Sequence, residues 1–280
     1  AKALKISPGQ IKGLQITKQS IDARKRDQVT YSYVLDIQAE QEEKIIKRAK
    51  NRNAVIKKET SYRFPSCGKQ PLSAPPVIIG TGPAGLFCGL MLARAGYRPI
   101  LLERGGPVEE RKEKVDTFWN ENKLDPQCNV QFGEGGAGTF SDGKLNTLVK
   151  DISGRNGEVL RIFTEFGADP SICYVNKPHI GTDVLSHIVK SIRKEIESLG
   201  GQVRFLSQVT DFEITEGRLT AVTVNNTQRI PVQAVVAAIG HSARDTFEML
   251  LAQGISMQPK AFAVGVRMEH PQSFINQNAY

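Results

Sequence analysis

From Val29 to Ile37 apolar and polar positions alternate, so Val29, Tyr31, Tyr33, Leu35 and Ile37 share one face of an extended chain. Ile11–Thr17 reads as a partner strand, with the charged stretch Asp22–Asp27 as an exposed connection. Glu40–Lys50 has helical character, its Glu42, Glu43 and Lys47 spaced for side-chain pairing, and Ala54–Lys57 reads as a returning strand. The order strand–strand–helix–strand predicts a small α+β domain over residues 1–70, with so little apolar content that it leans on the next domain for stability. Pro65–Pro76, with four prolines, one glycine and two serines, reads as a linker.

Beyond it the rhythm changes. Val77-Ile78-Ile79 is apolar without alternation, as in a parallel strand covered on both faces. Pro83–Ala95 reads as a helix opened by proline and closed by Gly96, and Arg98–Glu103 as a second strand. Helical stripes follow at Val159, Ile162, Phe163 and Phe166, and again at Leu185, Ile188, Val189, Ile192, Ile196 and Leu199, the latter stopped by Gly200-Gly201. Four short apolar segments come next, Val203–Leu206, Val209–Ile214, Leu219–Val224 and Ile230–Ile239, separated by turn residues such as Glu216-Gly217 and Asn225-Asn226. The pattern predicts an α/β, Rossmann-like nucleotide-binding domain over residues 75–280, a parallel sheet with a β-meander insertion.

Composition refines this picture in two places. Residues 1–72 carry 16 Lys and Arg against 7 Asp and Glu, whereas residues 73–280 carry 21 against 22. A basic amino-terminal module is either a surface for nucleic acid or another anion, or simply a solvated basic face, and the plainer reading is the expectation. Cys67, Cys88, Cys128 and Cys173 are widely spaced and form no C-x-x-C pair, which points to free thiols in a reducing compartment, the cytoplasm, and to no zinc site. No apolar run approaches the ~20 residues that span a bilayer, so no membrane partner is expected.

The chemistry concentrates at Gly80-Thr81-Gly82-Pro83-Ala84-Gly85, a G-x-G-x-x-G run set between a buried strand and a helix. There Gly80 permits the tight turn, Gly82 admits a diphosphate to the backbone, and Gly85 lets helix and strand pack closely. The helix that starts at Pro83 offers free N–H groups and a partial positive charge to an anion. Glu103 ends the second strand 18 residues after Gly85, placed to accept hydrogen bonds from a ribose. A second match by letter, Gly133–Gly138, lacks the strand and helix around it and reads as a loop that brings backbone N–H groups to a ligand. Val235–Gly240 would return the chain to the same site, and Ser242 would cap a helix over Ala243–Leu251.

Gly80–Gly85, Glu103-Arg104, the block from Gln131-Phe132-Gly133 through Lys144-Leu145, Lys177–Asp183, and Gly240–Thr246 resemble, in that order, the uncharacterised FAD-dependent dehydrogenase family, flavoproteins described as NAD(FAD)-utilising dehydrogenases. The resemblance runs from about residue 10 to the end. It implies an FAD-dependent oxidoreductase in which Gly80, Gly82, Pro83, Ala84 and Gly85 hold the FAD diphosphate and Glu103 the ribose. Arg104, Arg111 and the loop with Gly138, Thr139, Ser141, Asp142 and Lys144 would line the flavin side, with Val209, Ala238 and Gly240 near the adenine and diphosphate. NAD(P)H is the implied electron donor, and the small-molecule substrate is unspecified. Lys144 is a candidate to stabilise negative charge on reduced flavin, and His179 a candidate acid or base near neutral pH. Cys128 lies before the Gly-rich loop without a partner thiol and is expected to be inert. Such flavoproteins continue into a Gly-Asp segment that closes the site. None comes after Gly265-Val266-Arg267, and a substrate domain would begin only near residues 260–280, so a fragment or truncated form is the expectation. The alternative reading is a nucleic-acid-associated flavoprotein using residues 1–72, or an inactive remnant.

Overall fold

The computed structural model describes all residues except 26–27, 59–60, 141–142, 146–149, 262–263, 267 and 279–280. At the amino terminus β1 (Ile11–Asp22) and β2 (Thr30–Ala39) pair antiparallel as a two-stranded ribbon, with register shifts near Gly13 and Lys18. Tyr31, Tyr33 and Leu35 alternate as expected, yet all three are exposed, as are Leu14 and Ile21 on β1. Helix α1 (Glu42–Ala49) comes next and buries Ile45 and Ala49. Ala54–Lys57 forms no strand; Val55 and Ile56 are exposed, and the segment meets the ribbon through the Lys57–Asp36 ion pair. Two apolar side chains among lysines are too few to pin a register. The ribbon's outer edge instead takes a distant segment: the Gln19 N–H donates to Tyr174 O at 2.7 Å, and the Asn176 N–H to Gln19 O at 2.8 Å.

The body is a parallel sheet covered on both faces. It starts with β3 (Val77–Ile79), α2 (Pro83–Arg94), β4 (Ile100–Leu102) and α3 (Val108–Glu121), and continues through α4 (Arg155–Glu165) and α5 (Thr182–Ser198) into β5 (Gln202–Arg204). An antiparallel meander, β6 (Val209–Thr215), β7 (Arg218–Val224) and β8 (Gln228–Pro231), precedes β9 (Val235–Ala237), α6 (Arg244–Ala252) and α7 (Gln272–Asn278). The sheet runs β5-β4-β3-β9, all parallel.

Alternation within β3 and β4 builds the two cores. Ile78 and Leu101 pack with Leu86 and Leu90 of α2 and with Ile188, Ile192 and Ile196 of α5. Val77, Ile79, Ile100 and Leu102 pack on the other face with Phe212, Val222, Val224 and Ile230 of the meander. A strand with both faces buried has no polar positions to spare, which is why its sequence shows no alternation. Gly89 brings α2 against the sheet, since a Cβ there would stand 2.9 Å from Leu101 Cδ2.

Two further expectations change, and one helix is present that the apolar pattern does not mark. Helix α3 carries no apolar stripe; its buried face is Val108, Arg111 and Val115, with a charged residue at its centre. The run Ile230–Ile239 divides between β8 in the meander and β9 in the parallel sheet, a change of partner that hydrophobicity does not reveal. Finally, α6 starts one residue later than expected, with Ala243 rather than Ser242 at its N-cap and no side-chain cap. No helix among the described residues is long and apolar enough to cross a membrane.

Candidate functional site

The chain leaves β3 for β4 and β5 on one side of the sheet and returns as β9 on the other. Loops from the carboxyl ends of β3 and β9 therefore diverge, and a crevice opens between them, the place where open α/β sheets bind ligands. A cleft of about 590 Å³ occupies this position, walled by Gly80 and Gly82–Ala84, Glu103-Arg104, the stretches 131–133 and 136–138, Ser207–Val209 and Ala237–Ala243, with Thr246, Phe247 and Leu250 of α6.

Glycines set its shape. Gly80 has φ 97°, and a Cβ there would lie 2.6 Å from Ala238 O, so only glycine lets the β3 turn pass the end of β9. Gly82, by contrast, has φ −65°, and a Cβ on it would find only Gly136 Cα at 3.9 Å. That side chain would project into the cleft. Gly82 is also the N-cap of α2, which has no side-chain cap, and Pro83 carries no N–H. The N–H groups of Gly82, Ala84 and Gly85 therefore have no intrahelical partner and sit at the positive end of the helix dipole. An uncapped helix start in a glycine-lined cleft suits a phosphate or diphosphate.

Behind this turn stands Glu103, only 4 % exposed. Its Oε2 accepts from the Thr81 N–H and hydroxyl, both at 2.8 Å, and its Oε1 from the N–H groups of Gly105 at 2.9 Å and Gly133 at 3.0 Å. Four donors fill the acceptor sites of one carboxylate. Glu103 thus ties together the Gly80 turn, the loop after β4 and the Gly133 loop while lining the cleft. Arg104 is held by Asp245 of α6, with Nη2 at 2.9 and 2.7 Å from the two carboxylate oxygens, and its guanidinium lies 4.4 Å from the Phe132 ring centroid.

Beneath the second glycine loop Arg111 is fully buried. It donates to four carbonyls: Asn129 and Val130 at 2.9 Å, Glu134 at 2.7 Å and Gly136 at 2.8 Å. Burial pulls its basicity down to about 10, against the opposing pull of Glu103, Cys128 and Glu134. Glu134, also fully buried, accepts from the Val108 N–H at the start of α3 and from Arg193 Nε, both at 2.8 Å. Burial nevertheless raises its carboxyl pKa. Cys128 Sγ accepts from the Gly106 N–H at 3.3 Å, and burial raises the thiol, which keeps it protonated and unreactive.

Of the candidate residues read from the sequence, Gly80, Gly82, Pro83, Ala84, Glu103, Arg104, Gly138, Val209, Ala238 and Gly240 line the cleft. Gly85 lies beneath it, because a Cβ there would overlap the Gly80 carbonyl. Arg111 and Thr139 are not in its wall: Arg111 is turned to the loop carbonyls, and Thr139 is buried, its hydroxyl without a partner among the described residues. Ser141 and Asp142 lie outside the described residues. Lys144 and His179 meet as a cross-strand pair, framed by Ile180 N–H to Gly143 O and Leu145 N–H to Pro178 O, both 2.9 Å. Both are exposed and neither lines the cleft. Residues that the sequence does not flag are Gln208, Phe247 and Leu250. Only folding gathers them, and no local motif marks them.

Similarity to known proteins is of three kinds. A family model described as "Domain of unknown function (DUF8436)" matches residues 1–38, within the ribbon region. An uncharacterized protein of Clostridium beijerinckii (strain ATCC 51743 / NCIMB 8052) is 44 % identical over 279 residues; the match covers 100 % of this chain and 52 % of that protein. The chain therefore spans about half the length of this relative. Among solved structures, THI4 of Thermovibrio ammonificans aligns with a TM-score of 0.41 at 19 % identity, over 65 % of this chain and 63 % of that one. OTEMO in complex with FAD and NADP aligns at 0.37 and 16 % identity, over 60 % and 26 %. Thioredoxin reductase of Lactococcus lactis aligns at 0.31 and 15 % identity, over 58 % and 34 %.

Proposed function

We propose that the cleft binds FAD and that the protein is an FAD-dependent oxidoreductase of the dehydrogenase type. The observation that carries this reading is the uncapped start of α2, set at the switch point of a parallel sheet and facing a second glycine-rich loop across the cleft. The diphosphate belongs at the N–H groups of Gly82 and Ala84. The adenosine half lies toward Val209, Phe247 and Leu250, which give the apolar wall an adenine requires. Glu103 stands nearest the position for a ribose, and its present hydrogen bonds mean that a hydroxyl must share or displace one of four donors.

Bound FAD supplies reversible two-electron transfer, and NAD(P)H is the reductant proposed for it. The chain's own residues orient the cofactor and set its electrostatics. Lys144 and His179, paired across a β-bridge outside the wall of the cleft, are proposed to serve a reacting end that extends past that wall, with Lys144 as a positive charge and His179 as proton donor or acceptor.

The test is a titration of the purified protein with FAD, followed by desalting and a visible spectrum. Flavin retained in stoichiometric amount and bleached by NADH or NADPH under anaerobic conditions is the expected result. Absence of saturable binding for both FAD and ADP would overturn the reading.

A further inference from the structure

We infer that Arg111 is a positioning residue for the diphosphate: without reaching the ligand, it turns the peptides of the second glycine loop so that an N–H faces the start of α2. This deepens the reading of the cleft as an FAD site and rests on it. In a trans peptide the C=O and the following N–H point in opposite directions, and none of the described peptide bonds is cis. Arg111 Nη1 holds two loop carbonyls, Glu134 O at 2.7 Å and Gly136 O at 2.8 Å. In the first of these peptides the consequence is visible, because the Gly135 N–H on its far side donates to Thr81 O at 2.9 Å, in the Gly80–Gly85 turn.

The second peptide has the same polarity. Its N–H is that of Ala137, which lines the cleft and has no hydrogen-bond acceptor among the described residues. The loop is also close enough to matter: a Cβ built on Gly136 would stand 3.0 Å from Gly82 Cα and 3.2 Å from Pro83 Cδ. The cleft thus offers N–H groups from two sides, the helix start on one and Ala137 on the other. A neutral side chain at position 111 would have no means of gathering four carbonyls beneath the loop, and these peptides would be free to rotate.

The loop carries its own reporter. Trp119, the single tryptophan of the chain, meets the Phe140 ring edge-on at 6.3 Å, and Phe140 in turn lies 4.7 Å from the Arg111 guanidinium. Arg111→Met and Arg111→Lys would be compared with the parent protein for binding of ADP, FAD and adenosine, with Trp119 emission followed in the unliganded state. Removing an N–H that meets a charged group is expected to weaken ADP and FAD roughly ten- to a hundredfold. Adenosine, which has no phosphate, should bind as before, and Lys should restore only part of the loss. Trp119 emission should shift in both variants.

A second variant, Ala137→Pro, removes the same N–H without touching Arg111, at the first position of a short 3-10 turn, where proline is accommodated. It should reproduce the selective loss, and it decides the matter if the Arg111 variants fail to fold. A parent protein that binds ADP and FAD, with an Ala137→Pro variant binding them equally well, would overturn this inference alone. A parent that binds neither would remove the proposed function and this inference with it.

Discussion

Two glycines of the cleft illustrate how differently the same residue type acts. Gly82 has an ordinary φ and open space at its missing Cβ, so Gly82→Ala should leave stability within about 0.5 kcal/mol of the parent while FAD affinity falls markedly. Gly133 has φ 118°, and a Cβ there would lie 2.5 Å from Arg111 Cδ. Gly133→Ala should therefore cost about 1–3 kcal/mol in chemical denaturation before any ligand is added. Equal effects at the two positions would show that the cleft is not shaped as described. The Asp245 carboxyl adds a pH dependence. Burial would raise it, but the hydrogen bonds from Arg104 and Thr246 prevail and hold it below the usual range. A depressed carboxylate stabilises the fold fully above its unfolded value of about 3.9, and the contribution is lost as pH falls through the lower folded value. Since the Asp245 side chain is 49 % exposed, screening limits the link to about 0.5–1 kcal/mol. Asp245→Asn should lose that amount at pH 7 and show a flatter acid limb, read from urea midpoints between pH 3 and 7.

Helix α2 shows what an element contributes beyond its residues. Its first-turn N–H groups are left to the cleft rather than to a cap, an arrangement that gives up some helix stability. Ala84→Asp tests this opposition, because an acidic group in the first turn satisfies the helix dipole and occupies the anion's place. Stability should rise by about 0.3–1 kcal/mol while FAD and ADP binding weaken, measured by thermal unfolding and titration on the same samples. Helix α2 and its fingerprint are legible in the sequence, since strand, turn and helix are contiguous. Helix α3 is not, because its buried centre is Arg111, and a charged residue reads as solvent-facing until the four carbonyls that receive it are in place. The Lys144–His179 pair is likewise a product of folding: in the sequence each is a candidate by itself, and only a backbone bridge between remote segments sets them side by side.

At the scale of the whole molecule the parts differ in how well they are covered. Strands β3 and β4 are buried on both faces, whereas the ribbon exposes Leu14, Ile21, Tyr31 and Tyr33 and is joined to the 174–176 segment by the backbone bonds at Gln19. A two-stranded ribbon is marginal by itself. Its amides should exchange hydrogen much faster than those of β3 and β4, as read by exchange mass spectrometry. Equal protection would show that the ribbon is held by more than that bridge. The sequence by itself determined the parallel strands, the glycine turn and the amphipathic α5, because each is encoded by neighbours within one element, as period, cap and turn residue. Tertiary structure alone decided the split of Ile230–Ile239 between two sheets and the saturation of Glu103 by four donors. It also decided the burial of Arg111 and the α6 wall of the cleft. Those features depend on partners far apart along the chain, and a residue's chemistry there is set by what the fold brings against it.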